Sequence, residues 1–250
     1  GCVQLGVDVY GGALLNPWFD RDLAIAGRVT LLTTSGELCS TLFDSARPVA
    51  VVPSLAIHLD REANKQRSIN PQKDVVPLVM LGDPQQFDFK AWLAETLTAQ
   101  DSQWQDARVM DYELSLYDVQ PPAVAGIDES LITSARLDNL LSCFAGLSAL
   151  IDTEDAEWSM LVATDHEEVG SASTVGAQGP MLMDALTALV PNPQDNQQLR
   201  TDSWMLSVDN AHAVHPNYAD EHDDQHSPRL GGGPVVKINR NQRYATNSEG

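Results

Sequence analysis

Lysine is the scarcest chemistry in this 250-residue chain: it occurs only at Lys65, Lys73, Lys90 and Lys237, and all basic residues number 15 against 35 acidic ones. The resulting formal net charge of -20 and pI near 4.4 exclude nucleic acid and anionic membrane surfaces as partners, because both would be repelled. Cysteine is nearly as sparse. Cys2, Cys39 and Cys143 are odd in number and at no metal-ligand spacing, which argues against a disulfide framework and for a reducing, cytoplasmic setting. No apolar run approaches bilayer length, the start has no basic-then-apolar signal pattern, and there is no internal repeat or low-complexity tract. What the chain does have is 43% hydrophobic residues, enough to fill a core in one large domain or two smaller ones.

Residues 1–125 read as a β-rich module. In "RVTLLTTSGELCSTLFD" two β-prone runs flank the turn signal Thr34-Ser35-Gly36-Glu37, a hairpin by pattern, and "VAVVPSLAIHLD" and "RVMDYELSLYDV" are further strand candidates. One helix interrupts them, "DPQQFDFKAWLAETLTAQ", with Asp83-Pro84 as its start signal and Phe89, Trp92, Leu93 and Leu97 spaced toward one face. After Pro121-Pro122 the pattern changes. "RLDNLLSCFAGLSALI" and "PMLMDALTALV" read as helices, "WSMLVATD" and "SWMLSVDN" as buried strands, so residues 126–250 are expected to form part of an α/β domain with covered sheet faces.

In this second half acidic residues gather at the edges of apolar elements. Asp138 lies early in its helix, Asp165 to Glu168 follow "SMLVAT", and Asp209 closes "SWMLSV". Ligands of open α/β sheets collect at the carboxyl ends of strands, and carboxylates brought together repel unless a cation joins them, so a divalent metal site of one or two ions is one reading. Solvated loop residues and helix caps are the other. The run "AHAVHPNYADEHDDQHSP" also stays open: His222, His226 and Asp223 offer zinc donors, or the loop is a polar rim, with His212 the histidine best placed to face Asp209. The "RLGGGP" run lacks phosphate-loop spacing and is followed by an apparent strand. Within that strand Lys237 is either a solvated edge position or a counter-ion for an acidic substrate. His58, in "SLAIHLD", reads by itself as a structural histidine.

Taken together, "GVDVYGGALLNPWFDRDLAIAGRV", "PSLAIHLDREAN", "ARLDNLLSCFAGLSAL", "TDHEEVGSAS", "DNAHAVHPNYADEH" and "GPVVKINRNQRYATNSE" resemble the aspartyl aminopeptidases, co-catalytic zinc enzymes of metallopeptidase family 18, in family order across essentially the whole chain. The resemblance implies a fold of the α/β class, a partial zinc-peptidase-like catalytic domain at 126–250 joined to an interposed β-rich dimerisation domain at 1–125. It implies hydrolysis of N-terminal Asp or Glu residues from peptides, with Asp138 bridging two zinc ions, Glu168 a ligand of one, Asp209 of the other, and Glu167 the general base. His58 resembles a histidine projected across a subunit interface of a homo-oligomer. His212, Lys237 and Tyr244 fall on substrate-binding positions, with Lys237 the natural partner of the acidic side chain. Two further zinc-binding histidines would lie ahead of "GVDVYGG" and beyond "RYATNSE", so this chain is expected to be the central part of a longer enzyme and by itself weakly active or inactive. The rivals are a non-catalytic assembly or binding protein on the same scaffold and an aminopeptidase of broader preference.

Overall fold

The computed structural model describes residues 1–154 and 158–237. They fall into two compact units, Gly1–Ala135 and Arg136–Gly250, so the boundary expected near residue 125 lies inside the first.

The first unit is built on a three-stranded antiparallel sheet. Its centre is β2 (Leu23–Leu32), flanked by β3 (Leu38–Asp44) and β5 (Arg108–Asp118). The hairpin joining β2 to β3 turns where the sequence signals it: the Thr33 amide donates to the Glu37 carbonyl at 2.9 Å, and Gly36 takes the left-handed φ of 83° that a side chain would resist. Two smaller pairs complete the β structure, β1 (Cys2–Gln4) with β4 (Leu78–Leu81) and β6 (Ala123–Ala125) with β7 (Leu131–Thr133). The single long helix, α1 (Phe89–Gln100), starts later than Asp83-Pro84 suggests. Asp83 instead caps a separate 3₁₀ turn, Pro84–Gln86, and Asp88 caps α1 by accepting from the Ala91 amide at 3.0 Å. The apolar stripe of α1 lies as expected, with Leu93 and Leu97 buried in one cluster with Val29, Leu31, Phe43 and Val109.

One strand expectation in this unit is corrected. Of residues 49–60 only Ala50, Val51 and Val52 form isolated bridges. Pro53, which has no amide to donate, ends the pairing, and Ile57 to Leu59 form a turn with the Leu59 amide on the Ala56 carbonyl. His58 therefore sits exposed on a turn rather than inside a strand.

The second unit contains α2 (Leu137–Asp152), α3 (Met181–Leu189) and α4 (Pro193–Asp202) among its described residues. The last was not anticipated, although its signal is present: Asn192 accepts from the amides of Gln194 and Asp195, and Pro193 occupies the first turn where no donor is needed. The two expected buried strands are absent. Residues 158–164 and 204–209 donate no backbone hydrogen bond among the described residues, and Trp158, Trp204, Met205 and Leu206 are exposed. A strand exists only through a neighbour that completes its ladder, and none pairs with these segments among the described residues. Every buried apolar side chain among the described residues belongs to the first unit, and α2, expected to run from amphipathic to buried, buries none of its residues.

Candidate active site

The paired glutamates stand on a 3₁₀ turn, Glu167–Val169, held between two left-handed residues, His166 (φ 62°) and Gly170 (φ 98°). The turn is closed from behind. The Ser171 amide donates to the His166 carbonyl at 2.8 Å, the Gly170 amide donates to Glu167, and Gln178 Nε2 reaches the Gly170 carbonyl at 3.1 Å. His166 itself is engaged with Ser173, Nδ1 to Oγ at 2.6 Å. Successive residues of a 3₁₀ turn point about 120° apart, so Glu167 and Glu168 leave the backbone in different directions, both exposed. Two adjacent carboxylates can thus serve separate tasks.

The segments that carry Asp138 and Asp209 meet at the start of α2. Arg136 caps the helix in the left-handed region (φ 60°), and Asp138 and Asn139 depart from helical geometry across a cis peptide before the regular turns begin. Asn210, half-buried, donates from Nδ2 to the Leu137 carbonyl at 2.9 Å and accepts at Oδ1 from Ser142 Oγ at 3.0 Å. Lys237 joins the same place, its ammonium donating to the Asn210 carbonyl at 2.6 Å and lying 3.4 Å from Asp209 Oδ2. Further along α2, Gly146 faces the Leu161 side chain, which belongs to the segment leading into the glutamate turn. The helix is thus a shared platform for the segments carrying Asp138, Glu167, Glu168 and Asp209. Sequence reading named these carboxylates but missed Asn210 and Ser142. The only signal was an amide residue immediately after Asp209.

The histidine loop is occupied with its own architecture. His222 Nε2 accepts the His215 amide at 3.1 Å and His215 Nδ1 accepts the Asn217 amide at 3.1 Å. Asp223 accepts from the amides of Gln225 and His226, and those bonds hold its carboxyl below the ordinary carboxylate range. The loop bearing His222, His226 and Asp223 is thus hydrogen-bonded within itself, and among the described residues no three of its donors gather into one group. His212 is exposed, and Tyr244 lies outside the described residues.

The whole chain, residues 1–250, matches the family described as Aminopeptidase I zinc metalloprotease (M18). The chain belongs to the M18 family. It is 56% identical over all 250 residues to "Probable M18 family aminopeptidase 2" of Ectopseudomonas mendocina, and it spans 58% of that protein's length. Among solved structures, a chain of the Ape4 and Nbr1 complex superposes with a TM-score of 0.87 at 32% identity, covering 99% of this chain and 52% of the other. The S. cerevisiae mApe1 dodecamer superposes with a TM-score of 0.68 at 25% identity, covering 92% and 53%. These M18 neighbours support the α/β peptidase-like class for the fold, and no helix among the described residues is long and apolar enough to cross a membrane.

Zinc belongs to the family description, so the donor set bears examination. Asp138, Glu168 and Asp209 are exposed carboxylates, a donor chemistry that zinc accepts. Among the described residues, however, no three His, Cys, Asp or Glu side chains gather into one group, and zinc sites ordinarily complete a tetrahedron. The chemistry fits while the described assembly is incomplete.

Proposed function

We propose that the protein is a zinc-dependent M18 aminopeptidase that removes N-terminal Asp or Glu residues from peptides, acting in the cytoplasm as a homo-oligomer. The observation that carries the acidic preference is the position of Lys237: the only lysine of the second unit has its ammonium at the Asp209–Asn210 corner, beside a carboxylate assigned to the site. A substrate carboxylate would meet a fixed cation there, whereas an apolar side chain would leave that cation without a partner from the substrate. In this reading Asp138, Glu168 and Asp209 hold two zinc ions, Glu167 carries the proton, and His212 and Tyr244 contact substrate. Zinc when bound supplies Lewis-acid polarisation of the scissile carbonyl. Dodecameric assembly of mApe1 supports an oligomer, within which the exposed turn bearing His58 would reach a neighbouring subunit.

The test uses the protein at the length of its relatives, with aspartyl- and leucyl-naphthylamide as paired substrates. Chelation should abolish turnover and added zinc restore it. Loss of one charge-assisted hydrogen bond corresponds to about 1.5–3 kcal/mol, so Lys237→Ala should reduce the preference for the aspartyl substrate by roughly ten- to a hundredfold. An unchanged ratio would remove Lys237 from selectivity and favour the broader aminopeptidase.

A further inference from the structure

We infer that Asn210 is a positioning residue that fixes the Asp138 and Asp209 segments relative to each other, an inference that rests on the role given above to those two carboxylates. The carboxamide spans from one segment to the other using both of its ends. The Leu137 carbonyl can only accept, so the amide nitrogen must face it, and the amide oxygen is left for the Ser142 hydroxyl to donate to. Both anchors flank Asp138 on α2, one residue before it and one helical turn after it, and Asp209 immediately precedes the clamp. Of the ordinary side chains this short, only asparagine offers a donor and an acceptor in one plane. Aspartate would set a carboxylate against the Leu137 carbonyl, and alanine would release both anchors.

The third contact separates two functions within one residue. Lys237 is held by the main-chain carbonyl of Asn210, at 2.6 Å, and by Asp209 Oδ2, at 3.4 Å, and not by the Asn210 carboxamide. Replacing the side chain should therefore disturb the placement of the Asp209 segment against Asp138 while leaving both partners of the specificity cation, which lie within residues 209–210, intact. A general loss of structure would disturb both.

The experiment compares Asn210→Ala, Asn210→Asp, Ser142→Ala and Ser142→Thr in the full-length enzyme. Displacement of catalytic groups by a fraction of an ångström to one ångström costs up to about a hundredfold in rate, and loss of a residue supporting a metal ligand costs roughly ten- to a hundredfold. Both Asn210 variants should lower kcat at least tenfold with the aspartyl-to-leucyl preference within twofold of the parent. Ser142→Ala should lose less, and Ser142→Thr, which keeps the hydroxyl, should retain the parent rate. Hydrogen exchange of the zinc-free protein should accelerate at residues 137–142 and stay unchanged in the β2–β3–β5 sheet. The inference is overturned if Asn210→Ala keeps kcat within twofold, or if exchange rises throughout the second unit and preference is lost together with rate. Asp138→Asn and Asp209→Asn separate the two levels. If they abolish turnover while Asn210→Ala does not, only the clamp is wrong. If they leave turnover intact, the carboxylate assignment falls and the clamp falls with it.

Discussion

At Gly176 an added Cβ would lie 2.2 Å from the Ser171 carbonyl oxygen and 2.6 Å from its carbon, both backbone atoms that cannot swing aside. Ser171 is buried, holds a left-handed φ of 60°, and donates the amide that closes the glutamate turn onto His166. A methyl at position 176 therefore acts on Glu167 and Glu168 without touching either. Gly176→Ala should cost about 1–3 kcal/mol locally through forced backbone displacement, and kcat/KM of the full-length enzyme should fall at least tenfold. Parent-like kinetics would mean that the turn tolerates displacement and that its geometry is not what holds the glutamates.

Elements depend on what they pack against, and the first unit shows this at α1. Leu93 is wholly buried and Leu97 nearly so, Trp92 meets Phe43 edge to face at 5.5 Å between ring centroids, and Phe89 meets Tyr112 of β5 at 5.3 Å. Leu93→Ala should destabilise this unit by about 2–5 kcal/mol in a denaturant titration, the usual range for emptying a core leucine site. A change below 1 kcal/mol would show that the cluster collapses to fill the space. The β2–β3 hairpin, β5 and the apolar face of α1 were all legible because local turn chemistry and periodicity agree with their tertiary surroundings. The β1–β4 pair was not legible, since Cys2–Gln4 meets Leu78–Leu81 across a large sequence separation and both strands are short. Trp158 to Asp165 and Ser203 to Asn210 carry strand-like sequence yet form no ladder here, because composition can favour a strand but cannot supply its neighbour. Of the residues proposed for the site, the carboxylates could be named from their type and from the family resemblance, whereas Asn210 could not, because its contact with Leu137 spans a large sequence separation.

For the molecule as a whole, burial is divided unequally. The buried apolar side chains among the described residues all lie in the first unit, which also exposes Leu14, Leu42, Leu59 and Leu81, while the second buries none and exposes Leu140, Leu141, Phe144, Trp158, Trp204, Met205 and Leu206. Such surface is costly in water, since each large apolar side chain left exposed forgoes about 1.5–3 kcal/mol of burial. Limited proteolysis of the 250-residue chain should accordingly cut first within residues 136–237 and leave a resistant body near residues 1–135, identified by mass. Initial cleavage inside the β2–β3–β5 sheet would contradict this distribution.

The same division has a consequence in time. Chains emerge from the ribosome amino end first, and domains close as units once their contacts are available. Residues 1–135 hold every strand among the described residues and all members of the two buried apolar clusters. They can consolidate while α2 and the glutamate segment are still being synthesised, so the apolar helices are made after a first unit has closed. The order in which the two units close is then set by the order of translation.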